Sequence, residues 1–251
     1  MQREAFQQFV ELERDHWWFR GRRRVYLELV ARALGDARPA RTLDQGCGVG
    51  GFLEGLSALS ERVVGFEHDR EAAAHCRDRG FARIARSSAE RIPARDRSFD
   101  LVCLFDVLEH LDDDLAALRE AERVLAPGGR CVASVPAFQF LYANNDRVAE
   151  HRRRYTRGEL VERFRAAGFE IERATYTNVL LFAPIVCAVL ALKAWERVVP
   201  RKRDARHTNL TWGVPRAFDG FFYRCFAAEL VLSRRFDLPL GHSLLVIARK
   251  R

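Results

Sequence analysis

Two carboxylates and a run of glycines are the residues in this chain best placed to do chemistry. Leu43-Asp44-Gln45-Gly46-Cys47-Gly48-Val49-Gly50-Gly51 reads as a short apolar strand entering a turn. Its glycines let the backbone bend sharply and approach a ligand, and an amphipathic helix begins just beyond. That pattern is a nucleotide-binding turn. Gly46, Gly48 and Gly51 also satisfy the dinucleotide fingerprint, so the glycines alone do not choose the nucleotide. Asp44 discriminates: a carboxylate beside the turn is a poor neighbour for a pyrophosphate and a good one for an ammonium or sulfonium. Glu67 ends the apolar run Arg62-Val63-Val64-Gly65-Phe66-Glu67, where an acid accepts both hydroxyls of a ribose. The alternative for Glu67 is an unpaired surface acid.

A second polar group follows the nearly continuous apolar run Ser98 to Phe105, in Asp106-Val107-Leu108-Glu109-His110-Leu111. His110 is one candidate general base, because imidazole titrates near neutrality; its alternative is to hold its own loop by hydrogen bonds. The other is His151, in His151-Arg152-Arg153-Arg154-Tyr155. Arg154 and Tyr155, with their basic neighbours, are candidates to hold a phosphate or carboxylate of an acceptor, against the alternative of a solvated basic face. Three adjacent rings in His16-Trp17-Trp18-Phe19 cannot all face one core. Trp17 and Trp18 therefore either cover a ligand mouth or membrane surface, or pack over the domain. No metal-ligand set is read. The six cysteines include no C-x-x-C pair, which points to reduced thiols in the cytoplasm and argues against structural zinc.

Strands alternating with helices must position these groups, the pattern of a parallel sheet wound on both sides. Strands are expected to end at Asp44 and to run over 62–67, 82–86, 98–105, 130–135 and 169–175, with helices over about 51–59, 70–79 and 112–124. Pro127-Gly128-Gly129 is a stop-and-turn signal, and Thr156 with Glu159 forms a capping box opening a helix that runs to Gly168. Ser243 to Ala248 is a buried strand, and with no crossover helix between the turn Pro239-Leu240-Gly241-His242 and the chain end it can insert antiparallel beside strands five and six. Residues 1–40 read as an N-terminal helical segment, with Phe6 and Phe9 among its apolar positions. The expected fold is α/β, a Rossmann-like seven-stranded sheet with an antiparallel last strand, N-terminal helices and a helical insertion before that strand. Residues 1–251 are read as one domain, with its core in 41–176 and 243–251 and an apolar helical insertion or lid in 177–242.

Within that insertion, Val179 to Leu192 is unbroken by charge but falls short of the roughly twenty residues needed to span a bilayer. Phe218, Phe221, Phe222, Tyr223 and Phe226 mark a second apolar helix, and residues 200–206 between the two are strongly basic. Such a pair lies in a membrane interface through 179–199 and 215–235, roofs over a greasy substrate, or simply packs on the sheet. A net charge of +8 favours anionic partners, yet it is nearly all arginine, and nucleic acid has only that charge behind it. The polar start Met1-Gln2-Arg3-Glu4 shows no secretory signal. The expected location is cytoplasmic, with peripheral contact at the inner face of the membrane.

Taken in order, these motifs resemble the class I S-adenosylmethionine-dependent methyltransferases over roughly residues 40–175 plus the last strand. Leu43 to Gly50 resembles the first motif, and Gly65-Phe66-Glu67 the ribose-binding acid. Ser88-Ala89-Glu90-Arg91-Ile92-Pro93 followed by Ser98 to Val102 resembles the adenine loop and fourth strand. Asp106 to Leu111 resembles the segment after that strand, and Leu125-Ala126-Pro127-Gly128-Gly129 the turn into strand five. The HWWF-like start, the HRRRY segment and Pro239-Leu240-Gly241-His242-Ser243 are similar to a bacterial small-molecule or lipid-associated subgroup, type 11/12-like. The resemblance implies S-adenosylmethionine, which carries both an ammonium and a sulfonium, held by Asp44, Gly46, Cys47, Gly48, Gly50, Glu67, His68, Ser88, Ala89, Phe105 and Asp106. It implies methyl transfer to a small or lipid-like acceptor, with oxygen the expected atom. Gln45 replaces the family's usual apolar residue, and Ser88 stands where the family often has an aspartate for the adenine amino group. A serine still accepts that bond, less strongly without the charge. Two rival readings remain: a membrane-associated accessory protein that binds the cofactor without transferring methyl, and nicotinamide-dependent oxidoreduction, which Asp44 and the antiparallel strand disfavour.

Overall fold

The structure is a computed structural model and describes residues 10–198 and 216–251. Phe6, Phe9 and the basic run 200–206 lie outside the described residues. Seven strands form one sheet: β1 (Thr42–Gln45), β2 (Val63–Glu67), β3 (Ile84–Arg86), β4 (Phe99–Phe105), β5 (Leu125–Pro136), β6 (Phe169–Thr177) and β7 (Ser243–Lys250). Their order is β3-β2-β1-β4-β5-β7-β6. The first five are parallel, and β7 runs antiparallel to both β5 and β6, as expected of the last strand. The order reverses between β1 and β4, so the crevice at the carboxyl ends of these two strands is where a doubly wound sheet binds its ligand.

Helices cover both faces: α1 (Trp17–Leu34), α2 (Leu53–Leu59), α3 (Arg70–Asp78), α4 (Asp114–Val124), α5 (Asn144–Val148), α6 (Arg157–Ala166), α7 (Phe182–Val198), α8 (Asp219–Ala228) and α9 (Leu230–Ser233). Strand β4 explains its own apolar run. Val102 and Leu104 enter a core with Leu118 of α4 and Phe164 of α6, while Leu101, Cys103 and Phe105 face Tyr26 of α1 and Phe226 of α8. Both faces of the strand are buried, so alternation disappears. Helix α6 opens on the expected capping box: Thr156 Oγ1 accepts from Glu159 N–H at 3.4 Å, and Glu159 Oε2 accepts from Thr156 N–H at 2.7 Å. Strand β5 differs from expectation, because it already begins at Leu125 and carries Pro127-Gly128-Gly129 within it. Phe99 pairs with Leu125 and Leu101 with Arg130, so the turn residues are absorbed as a register shift, with Gly128 at φ 77°.

The segment between β6 and β7 is tied onto the core by polar as well as apolar contacts. Glu229, buried between α8 and α9, accepts from the N–H groups of Asn178 and Val179 at 2.9 and 2.8 Å. The N–H of Trp17 donates to Asp219 Oδ1 at 2.8 Å at the start of α8. Helices α1 and α8 approach closely because position 21 is glycine: a Cβ there would stand 2.4 Å from Phe226 Cδ1. The first apolar helix expected here starts at Phe182 rather than Val179 and is described to Val198. No helix among the described residues is long and apolar enough to cross a membrane.

Candidate active site

The glycine turn leaves β1 at the crevice. Gly46, at φ 74°, and Cys47 both direct their N–H groups to Phe66 O, which pins the turn onto β2. A Cβ on Gly46 would stand 2.5 Å from Val107 Cγ2, so this position accepts neither the conformation nor the bulk of another residue. Glu67 reaches back from the end of β2, with Oε2 accepting from Gly48 N–H at 2.7 Å and Oε1 from Asp69 N–H at 2.8 Å. Asp44 is 2% exposed, and its Oδ2 has no partner. Burial, with the Glu67 charge adding to it, pushes the Asp44 carboxyl up to about 7. An enclosed carboxylate with an unsatisfied oxygen beside open glycine backbone is complementary to a cation, and Gly48 at φ 55° has open space where a Cβ would be.

Phe105 and Asp106 occupy the end of β4, the next strand along. Asp106 takes φ 54°, and its Oδ1 accepts from Ser134 Oγ at 2.8 Å while Oδ2 pairs with Arg22. Phe105 stacks on Phe52 at 4.1 Å between centroids, and Tyr26 stacks on both rings. The Arg22 guanidinium lies over Phe19, Tyr26 and Phe52. Arg22, Phe52 and Tyr26 are site residues that motif spacing did not single out. A signal existed for Arg22: it has three aromatic residues, Trp18, Phe19 and Tyr26, three or four positions away on its helix face, more than any of Arg20, Arg23 and Arg24. On the other side, Ser88 Oγ accepts from Glu90 N–H at 3.2 Å and Ala89 is buried. His68 is exposed and contributes its carbonyl to Arg86 Nε, so its ring is not drawn into the interior.

Beyond Asp106 the backbone makes a short 3-10 turn, Leu108–His110, and there the two candidate bases meet. The His110 and His151 rings pack edge to face at 4.7 Å. Burial, and then the His151 charge, pull His110 down to about 4. Glu109 is wholly buried with neither carboxylate oxygen hydrogen-bonded, and burial followed by the Asp106 charge raises its carboxyl well above the usual range. His151 Nδ1 lies 2.8 Å from Asp146 Oδ1, and its Nε2 lies 3.9 Å from Glu109 Oε1.

Arg154 and Tyr155 are corrected by the structure. Arg154 is buried and donates through Nε and Nη2 to the two oxygens of Asp146, at 2.9 and 3.0 Å, and through Nη1 to Ala137 O. Tyr155 is also buried and its hydroxyl donates to Asp114 Oδ2 at 2.8 Å. Their polar atoms are spent inside the protein, so these two residues position the site rather than bind an acceptor. Trp17 and Trp18 are half-buried: Trp17 packs on Phe222, while Trp18 packs on Phe226 and meets the ring of His242 edge to face at 5.1 Å. Packing over the domain therefore accounts for both rings.

A family model described as a methyltransferase domain matches residues 18–174. A protein of Mycolicibacterium smegmatis named a probable S-adenosylmethionine-dependent methyltransferase is 33% identical over 165 residues, covering 64% of this chain and 62% of that protein. A ubiquinone biosynthesis O-methyltransferase of Parvibaculum lavamentivorans is 30% identical over 117 residues, 45% of this chain and 46% of the other. The chain thus spans about half to three fifths of the length of the curated relatives it matches. The crystal structure of a SAM-dependent methyltransferase from Thermotoga maritima aligns over 99% of both chains with a TM-score of 0.60 at 20% identity, a likeness of fold.

Proposed function

The chain belongs to the methyltransferase domain family, and from that premise we propose that it transfers a methyl group from S-adenosylmethionine to an oxygen of a small or lipid-like acceptor. One observation carries the reading: the buried carboxylate of Asp44, its Oδ2 without a hydrogen bond, beside an open glycine turn, with Glu67 at its other edge. Asp44, Gly46, Cys47, Gly48 and Gly50 would hold the methionine end of the cofactor, Glu67 its ribose, Ser88 and Ala89 its adenine, with Phe105 and Asp106 closing the crevice. The bound cofactor supplies a methyl on a sulfonium, which leaves as a neutral thioether. The protein's part is alignment and exclusion of water. The stacked Phe52, Phe105 and Tyr26 rings wall the crevice, and the Arg22–Asp106 pair fixes its floor. Glu109, His110 and His151 then lie where an acceptor hydroxyl would be activated.

Oxygen as the methylated atom is supported by the O-methyltransferase relative. An apolar acceptor is supported by the large side chains exposed around the insertion, among them Phe140, Leu180, Leu190, Trp195 and Phe221. The same side chains support contact with a lipid surface through 179–199 and 215–235. Residues 1–251 are read as one domain with 177–242 as its lid. Full-length protein incubated with methyl-labelled cofactor and a panel of phenols, alcohols and extracted lipids should label an oxygen-bearing, apolar product. Label on no member of the panel, despite bound cofactor, would sink the reading. Flotation with anionic vesicles should carry the protein upward, and protein that stays at the bottom of the gradient would remove the lipid surface while leaving the small acceptor.

A further inference from the structure

Glu109, His110 and His151 form an arrangement that alignment of a cofactor does not require. A fully buried carboxylate with no hydrogen bond to either oxygen is costly unless a donor or cation meets it. One oxygen of Glu109, one ring nitrogen of His110 and one of His151 all lie within 4.8 Å of one another. Ligands bound to one ion at ~2.1 Å in tetrahedral geometry stand ~3.4 Å apart, so side-chain adjustments of up to about 1.4 Å bring the three groups onto one ion.

The surroundings are those of ligating side chains. Asp146 accepts at the far side of the His151 ring, which puts the proton on Nδ1 and the lone pair on Nε2, the atom facing Glu109. Asp146 is itself fixed by Arg154, which orients the His151 ring. Glu109 and His110 come from the turn after β4, and His151 from the segment after α5. The two stretches are fastened by Arg152, whose N–H donates to Glu109 O and whose Nε donates to His110 O, each at 2.8 Å.

We propose that Glu109, His110 and His151 bind a divalent first-row transition ion, of the zinc, manganese or cobalt kind, and that this ion takes an oxygen of the methyl acceptor as a further ligand. Two imidazoles and one carboxylate suit such an ion, and three protein ligands leave positions open, as catalytic rather than structural sites do. An acceptor hydroxyl bound there releases its proton to water at neutral pH; the oxyanion then forms the O–CH3 bond while the S–CH3 bond breaks and the thioether leaves neutral. Acceptors with two adjacent oxygens are favoured, because they fill two open positions at once. The role of the ion rests on the methyl-transfer reading above; its presence does not.

The test uses tag-free, full-length protein stripped with a chelator and titrated with Co2+, followed by calorimetry and by the visible absorption of the ion. One Co2+ per chain is expected, with affinity falling at least ~10-fold in His151→Ala and in His110→Ala and unchanged in His75→Ala on α3. Circular dichroism identifies folded variants, and His151→Gln replaces the alanine if that variant does not fold. No saturable binding, or binding that survives both histidine changes, overturns the site. Saturable binding that leaves methyl transfer unaltered overturns the ion's role. Bound metal with no methyl transfer to any acceptor counts against the proposed activity and not against the site.

Discussion

Replacing Asp146 by alanine is expected to destabilise the folded chain by about 3–5 kcal/mol, seen as a lowered urea midpoint. The carboxylate is fully buried and uses both oxygens: Oδ1 accepts from Arg154 Nε and faces His151 Nδ1, while Oδ2 accepts from Arg154 Nη2 and from Ala143 N–H at 2.8 Å. Burial alone would raise its carboxyl. The His151 ring, the Arg154 charge and bonds, and the Ala143 N–H together hold it down at about 2 instead. Removing it strands a guanidinium whose side chain is 6% exposed. The Asp146→Ala/Arg154→Met pair should recover much of the loss, because no unpaired charge then remains inside. A single variant within about 1 kcal/mol of the parent would show that Arg154 finds water or another acceptor.

Asp44→Asn should weaken S-adenosylmethionine binding about 10- to 100-fold by calorimetry, the loss of about 1.5–3 kcal/mol expected when a hydrogen bond to a charged group is removed. The parent protein's affinity should itself depend on pH. With the unliganded Asp44 carboxyl at about 7, its charged form, which the cationic cofactor needs, is full above that pH and falls about tenfold per unit below it. Affinity therefore rises from pH 6 to pH 8 and then levels off, and the variant should lose that slope. Stability of the unliganded protein runs the other way. A carboxyl raised in the folded state above its unfolded value binds protons more tightly when folded, so its contribution declines as pH climbs from about 4 through about 7. The amide variant should accordingly be no less stable than the parent at pH 8. An unchanged dissociation constant would remove Asp44 from the cofactor site.

What could be read in advance was local. Asp44 and Glu67 announce themselves because glycines, strand ends and acids fall within one short window, and the Thr156–Glu159 box because its two partners are three residues apart. The short last strand after the Pro239–His242 turn was legible as one able to insert antiparallel, and the sheet carries it so. Arg154 and Tyr155 were misread because an arginine run gives no sign of which guanidinium turns inward; that choice depends on Asp146, buried in the same segment, and on Asp114 from α4. The triad of Glu109, His110 and His151 was invisible as a ligand set for the same reason, since its third member arrives from beyond β5. Burial likewise lowers the His110 imidazole below the near-neutral range, a property of packing and not of residue type. The start of β5 at Leu125 was hidden by glycines that usually end an element but here bend one.

The placement of β7 governs how the molecule is made. Among the described residues strand β6 pairs with β7 alone, and β5 has β7 as one of its two neighbours. Until residues 243–250 leave the ribosome, β5 offers an apolar edge and β6 has none of its own hydrogen bonds. The charges of Glu170, Glu172 and Arg173 along β6 then discourage pairing with other nascent chains. Closing the long loop from β6 to β7 is the slow event this topology imposes on synthesis, and a translation product halted before Ser243 would be a client for chaperones.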